Sequence, residues 1–135
     1  MRESFADVST ADAATVARVR HQLGSWLGWL GWPADHSDAV VLAVSEAVTN
    51  AVEHAYPPGQ HGNVTTRASA TTVGAGSRQL TVTVTDHGSW LDPPPQRDHL
   101  HGIPLMRASC DGLSILGTAT GTRVTITSTS PDHNP

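Results

Sequence analysis

Apolar positions recur at intervals of three and four through Val16, Val19, Leu23, Trp26, Leu27 and Leu30. That stripe predicts an amphipathic helix over about residues 10–31. Ser9-x-x-Asp12 resembles a capping box at its start, and Trp32-Pro33 ends it. Gly24, Gly28 and Gly31 weaken its second half. Trp29 and Trp32 lie off the stripe and either close the core edge or face a partner. A second helix is expected from a cap at Asp35 or Ser37 to about Tyr56, where Pro57-Pro58-Gly59 stops it. Val41, Leu42, Val44, Val48 and Val52 are its expected core face. On the opposite face Glu46, Asn50 and His54 follow one another at intervals of four, which stacks a carboxylate, a carboxamide and an imidazole.

The periodicity then changes to two. Residues 63–73, rich in Thr and Val, suit a strand, and Gly74-Ala75-Gly76-Ser77 suits a hairpin loop. Leu80, Val82 and Val84 alternate with Thr81, Thr83 and Thr85, a strand buried on one face that ends at Asp86-His87-Gly88. Residues 89–101, with three consecutive prolines, read as an irregular loop. A short helix is expected over about 103–110, with Pro104 in its first turn. Leu113–Leu116 and Arg123–Thr127 read as two closing strands, and 129–135 as a frayed tail. The order predicts an α+β fold: a two-layer α/β sandwich whose mixed, mostly antiparallel sheet carries its helices on one face.

Composition narrows the chemistry. The 135 residues suit a single domain over 1–135, with one core over about 37–127. The net charge is −4 without a basic cluster, which argues against a nucleic-acid partner. All eight cations are arginine, so a Walker A loop and any lysine nucleophile are excluded. The longest apolar run, Trp26 to Trp32, is too short to span a bilayer. The lone Cys110 allows no internal disulfide, and the start carries no apolar segment of signal-peptide type; both fit a cytoplasmic protein. Eight histidines, with His99-x-His101 among them, lack completing ligands at metal spacing and read as surface groups.

Four features stand in order: the helix with Glu46 and Asn50, Asp86-His87-Gly88 at a strand end, His101-Gly102-Ile103-Pro104-Leu105-Met106 entering a helix, and Gly121-Thr122 opening the last strand. The ordered set resembles the N, G1, G2 and G3 boxes of the GHKL ATPase superfamily. Glu-Ala-Val-Thr-Asn-Ala-Val-Glu-His-Ala-Tyr (46–56) and Gly-Ile-Pro-Leu-Met-Arg (102–107) are similar to the anti-sigma-factor serine kinases in detail. The resemblance implies ATP and Mg²⁺ as cofactors. It implies Glu46 as general base, Asn50 as the Mg²⁺ ligand, Asp86 as the reader of the adenine amine, and Gly88, Gly102, Ile103, Gly121 and Thr122 as pocket walls, with Arg97 near the phosphates. It implies transfer of the γ-phosphate to a serine of a STAS-type anti-sigma-factor antagonist, sequestration of a sigma factor, and a homodimer. Each residue also has a plainer reading: a solvated helix face for Glu46 and Asn50, an ordinary aspartate–glycine turn for Asp86 and Gly88. Glu53 and His54 compete with Glu46 for the base. The family's second glycine box usually reads Gly-x-Gly-Leu, and here Leu100 stands at its first glycine. The alternative is a non-catalytic module that docks a partner through its first helix and tryptophans.

Overall fold

The computed structural model describes residues 3–56, 62–74, 76–88, 111–118 and 120–131. Strand β1 (Glu3–Thr10) leads into helices α1 (Ala13–Leu30) and α2 (Ala34–His54); strands β2 (Asn63–Thr72), β3 (Ser77–Asp86), β4 (Gly112–Thr118) and β5 (Gly121–Pro131) follow. The strands form one sheet in the order β1-β2-β3-β5-β4. Both helices lie on one face of it, giving the expected two-layer α+β sandwich.

The sheet is mostly antiparallel as expected, and among the described residues all four pairings are antiparallel. Strands β3 and β4 run in the same direction, but β5 inserts between them and pairs with both.

Register decides which side chains reach the helices. Ala68, Val82 and Ile126 stand in one cross-strand row, with Phe5 at one edge and Leu113 at the other. The next row holds Thr66, Val84 and Val124. These meet Val19, Leu23, Leu27 and Leu30 of α1 and Val40, Ala43, Val44, Ala47, Val48 and Ala51 of α2 in a single buried core. The alternate positions, Thr81, Thr83, Thr85, Thr125 and Thr127, line the opposite face, and all are partly exposed. A period of two with Val or Ile inward and Thr outward suits a sheet covered on one side only.

Strand β1 is absent from the sequence reading. Its inward positions are Phe5, Asp7 and Ser9, and the outward Val8 is 61% exposed. Hydrophobic alternation therefore carries no strand signal there; pairing with β2 makes the strand. The capping assignment moves accordingly. Ser9 lies within β1 and donates to Asp7 Oδ2. Asp12 is the cap of α1, its Oδ1 accepting from the Thr15 N–H at 3.1 Å.

Helix α1 ends one residue before Gly31, which takes φ 75. The Trp32 N–H returns to Leu27 O at 3.0 Å and the Gly31 N–H to Gly28 O at 3.1 Å, a Schellman closure. That closure turns Trp32 into the core, where it is 4% exposed and its Nε1–H donates to Ser128 Oγ at 3.3 Å. Arg78 covers the Trp32 ring at 5.1 Å and donates to Leu30 O. The two tryptophans thus divide: Trp32 closes the core edge and Trp29 is 64% exposed.

Helix α2 begins at Ala34 behind Pro33 without a side-chain cap, so neither Asp35 nor Ser37 serves as the cap. Proline just outside a helix start loses no hydrogen bond. Leu42, assigned to the core face, is 41% exposed; Ala43, Ala47 and Ala51 take the inner positions because α2 sits close to the sheet. Part of the expected frayed tail is strand, and residues 132–135 fall outside the described residues. Strand β5 runs through Thr129 and Ser130, and Ser130 is fully buried against β3. The expected helix over 103–110 and the loop over 89–101 fall outside the described residues. No helix among the described residues is long and apolar enough to cross a membrane.

Candidate nucleotide site

Asp86 ends β3 in a row shared with Val64 of β2 and Thr122 of β5. It is 3% exposed, and its Oδ1 accepts the Gly88 N–H at 3.0 Å. This turn holds the carboxylate against its own backbone, an arrangement typical of aspartate at a strand end. Beside it, Thr122 is 4% exposed and its Oγ1 is buried without a hydrogen-bond partner. Thr66 Oγ1, in the core row of the sheet, is buried without a partner as well, so the state of Thr122 is shared by a residue away from this turn.

The glycines around Asp86 are required by backbone contacts. A Cβ on Gly121 would stand 2.2 Å from Asp86 O. A Cβ on Gly88 would stand 2.0 Å from Ala55 O, at the end of α2. The Ala55 carbonyl thus fills the space in which Gly88 would carry a side chain. Gly88→Ala is therefore expected to lower unfolding stability by about 1–3 kcal/mol, the usual scale of an overpacked contact. Urea unfolding checks this, and an unchanged midpoint would show that the turn relaxes without strain.

The Gly88–Ala55 contact sets α2 as a ruler. Asn50 lies five residues back from Ala55, about 7.5 Å along the axis, and Glu46 about 6 Å further. The helix thus leads away from the Asp86 turn through the carboxamide to the carboxylate. Asn50 is 6% exposed, and no described residue hydrogen-bonds its side chain. Glu46 is half-buried on the same flank. Glu53 and His54 are exposed, 3.7 Å apart, at the Asp86 end of the helix, which separates them from the Glu46 position.

A cleft of about 220 Å³ opens beside this turn, lined by Asp86, His87, Gly121 and Thr122 together with Leu116, Thr120 and Arg123. The structure therefore gathers Asp86, Gly88, Gly121 and Thr122 at one end, and α2 carries Asn50 and Glu46 away from them. Arg97, Leu100, Gly102 and Ile103 lie outside the described residues. Among the described residues no cluster of three or more His, Cys, Asp or Glu groups forms a metal site by itself. A single carboxamide oxygen suits an ion that keeps most of its water and phosphate ligands.

The sequence reading missed Tyr56. Its hydroxyl donates to Asn63 O at 2.6 Å and accepts the His87 N–H at 3.1 Å. Burial pushes its pKa above the ordinary tyrosine value, and the negative charge of Asp86 adds to the rise. The chain's one tyrosine, placed four residues after two apolar helix positions and before two prolines, carried no signal beyond a helix end.

Residues 9–128 match the family described as the histidine kinase-like ATPase domain. Among solved structures, the chain is similar to the crystal structure of the RsbU and RsbW domains of Rv1364c from Mycobacterium tuberculosis. That match has a TM-score of 0.71 and 27% identity over 95% of this chain and 33% of the other. The histidine kinase domain of the blue-light activated histidine kinase EL346 from Erythrobacter litoralis matches with a TM-score of 0.52 and 23% identity. That second match covers 84% of this chain and 58% of the other, and is a likeness of fold alone. The chain spans about a third of the length of the first structure and a little over half of the second.

Proposed function

This chain belongs to the histidine kinase-like ATPase domain family, and from that premise we propose that it is a Mg-ATP-dependent regulatory serine kinase of the anti-sigma-factor type. ATP binding is the property of the family; the serine acceptor, the metal and the partners are our reading. The observation that carries it is the placement of Asn50: a buried carboxamide without a hydrogen-bond partner among the described residues, one and a half turns from the Asp86 end of the site.

In this reading Asp86 accepts a hydrogen bond from the exocyclic amine of adenine, a donor that guanine replaces with an acceptor. Thr122 supports the same base edge with its orphaned hydroxyl. Asn50 would hold Mg²⁺ through its side-chain oxygen, and the ion would supply charge neutralisation at the phosphate oxygens. Glu46 accepts the proton of the acceptor serine as its oxygen bonds to the γ-phosphorus; the bond from that phosphorus to the β–γ bridging oxygen breaks, and ADP departs. Gly102, Ile103 and Arg97 belong to the phosphate end by resemblance, and residues 1–135 act as one domain.

The likeness to the RsbU and RsbW domains of Rv1364c supports a role exerted through partner proteins. We therefore assign as partners a STAS-type anti-sigma-factor antagonist and a sigma factor, with a homodimer and a cytoplasmic location. The docking alternative retains one favourable observation, the 64% exposure of Trp29 on α1.

Titration calorimetry with ATP, with and without Mg²⁺, tests the site, and incubation with labelled ATP and an antagonist domain tests the transfer. Asp86→Asn is expected to weaken ATP about tenfold, the scale of one hydrogen bond to a charged group. It should also narrow the preference of ATP over GTP. Wild-type protein that binds no ATP at millimolar concentration overturns the reading in favour of the docking module.

A further inference from the structure

We propose that Tyr56 is a positioning residue for nucleotide recognition, the clamp that sets the Asp86 turn relative to the Asn50 helix. The proposal rests on the nucleotide reading above and adds to it a residue that touches neither base nor phosphate.

Two adjacent residues at the end of α2 grip two adjacent residues of the turn. Ala55 fills the space in which Gly88 would carry a side chain. Tyr56 accepts the His87 N–H at 3.1 Å and donates to Asn63 O at 2.6 Å. One hydroxyl therefore joins the end of β3 to the start of β2, used once as acceptor and once as donor. The ring is fixed too. A Cβ on Gly62 would stand 2.0 Å from Tyr56 Cε1, so the backbone before β2 lies directly on the ring. Gly62 O in turn accepts the Ala11 N–H at 2.8 Å, which ties the same segment to the start of α1.

Asp86 Oδ1 accepts the Gly88 N–H. The direction in which this carboxylate meets a base depends on where residues 86–88 sit, and Tyr56 holds the N–H between those two. Loss of the hydroxyl strands the His87 N–H and the Asn63 carbonyl, and frees the turn from the helix that carries Asn50. The consequence falls on the base end of the nucleotide and spares the phosphate end.

The test compares ATP with purine riboside triphosphate, which lacks the exocyclic amine that Asp86 would read. Wild type and Tyr56→Phe are titrated with each in Mg²⁺. The expected result is a roughly tenfold loss of ATP affinity in the variant, little change for purine riboside triphosphate, and hence a collapsed preference between the two. Equal loss for both nucleotides, or no loss for either, overturns the proposal and leaves Tyr56 a structural staple.

A second measurement needs no variant. Tyr56 is the single tyrosine of the chain, so ring-labelled protein gives one tyrosine signal. That signal is expected to move as ATP saturates the site and to move less with purine riboside triphosphate. A ring signal indifferent to both while ATP binds overturns the clamp. Failure of ATP to bind wild type overturns the nucleotide reading instead, and the two results are distinguished by the calorimetric heat.

Discussion

Replacing Glu46 with glutamine is expected to slow phosphoryl transfer by about 10²–10⁴-fold, the range for loss of a positioned general base. ATP affinity should stay unchanged, because Glu46 lies about 13.5 Å along α2 from the Ala55 contact that anchors the base end. Glutamine keeps the size and hydrogen-bonding reach of glutamate but takes up no proton near neutral pH. The loss should therefore appear in the rate of the chemical step and leave binding intact. A single-turnover experiment with labelled ATP and an antagonist domain reads it, counting phosphate on protein and phosphate in solution separately. Full transfer by the variant would remove Glu46 from the role. Glu53 and His54 are poor replacements, since both are exposed at the opposite end of the helix. Phosphate released to solution by wild type with none on protein would instead mark a water-directed ATPase.

The second large effect is expected at Asn50. Asn50→Ala should weaken Mg-ATP by at least about 10–100-fold, since even outer-shell partners of a metal ligand carry that much. Affinity for ATP without Mg²⁺ should change far less, because the base contacts at Asp86 and Thr122 are untouched. Calorimetry in both conditions separates the two. The carboxamide is 6% exposed, so truncation also leaves a small cavity, and a fall in thermal midpoint is expected alongside. Equal weakening with and without the ion would show that the residue supports the pocket and does not ligate.

Strands with strict alternation were readable in advance. Leu80, Val82 and Val84 face the helices and their threonine neighbours face away. Helix α1 was equally readable, because Val19, Leu23, Leu27 and Leu30 repeat at the helical period and all are buried. Strand β1 was not. It contributes Phe5, Asp7 and Ser9 inward, and its conformation comes from eight register pairs with β2 rather than from its own residues. Leu42 misled for a related reason. Its side chain is apolar, but the close approach of α2 to the sheet selects the small Ala43, Ala47 and Ala51 for the contact.

The candidate site shows the same division. Glu46 and Asn50 were visible as polar groups four apart on one helix, and Asp86 and Gly121 as turn residues at strand ends. Their linear order suggested one site. Tyr56 and the close packing of Gly88 on Ala55 were not visible, because each depends on a contact between segments far apart in the chain.

The chain alone thus determined helices α1 and α2 and the alternating strands, since helical and strand periods are local properties of neighbouring side chains. It also determined the family, through short motifs whose backbone demands are local. Tertiary structure decided the rest: that β5 inserts between β3 and β4, that Asn50 is buried without a partner among the described residues, and that Tyr56 ties the Asp86 turn to the helix end. Burial and pairing are relations between distant segments, fixed when the core closes, and a one-dimensional pattern holds no record of them.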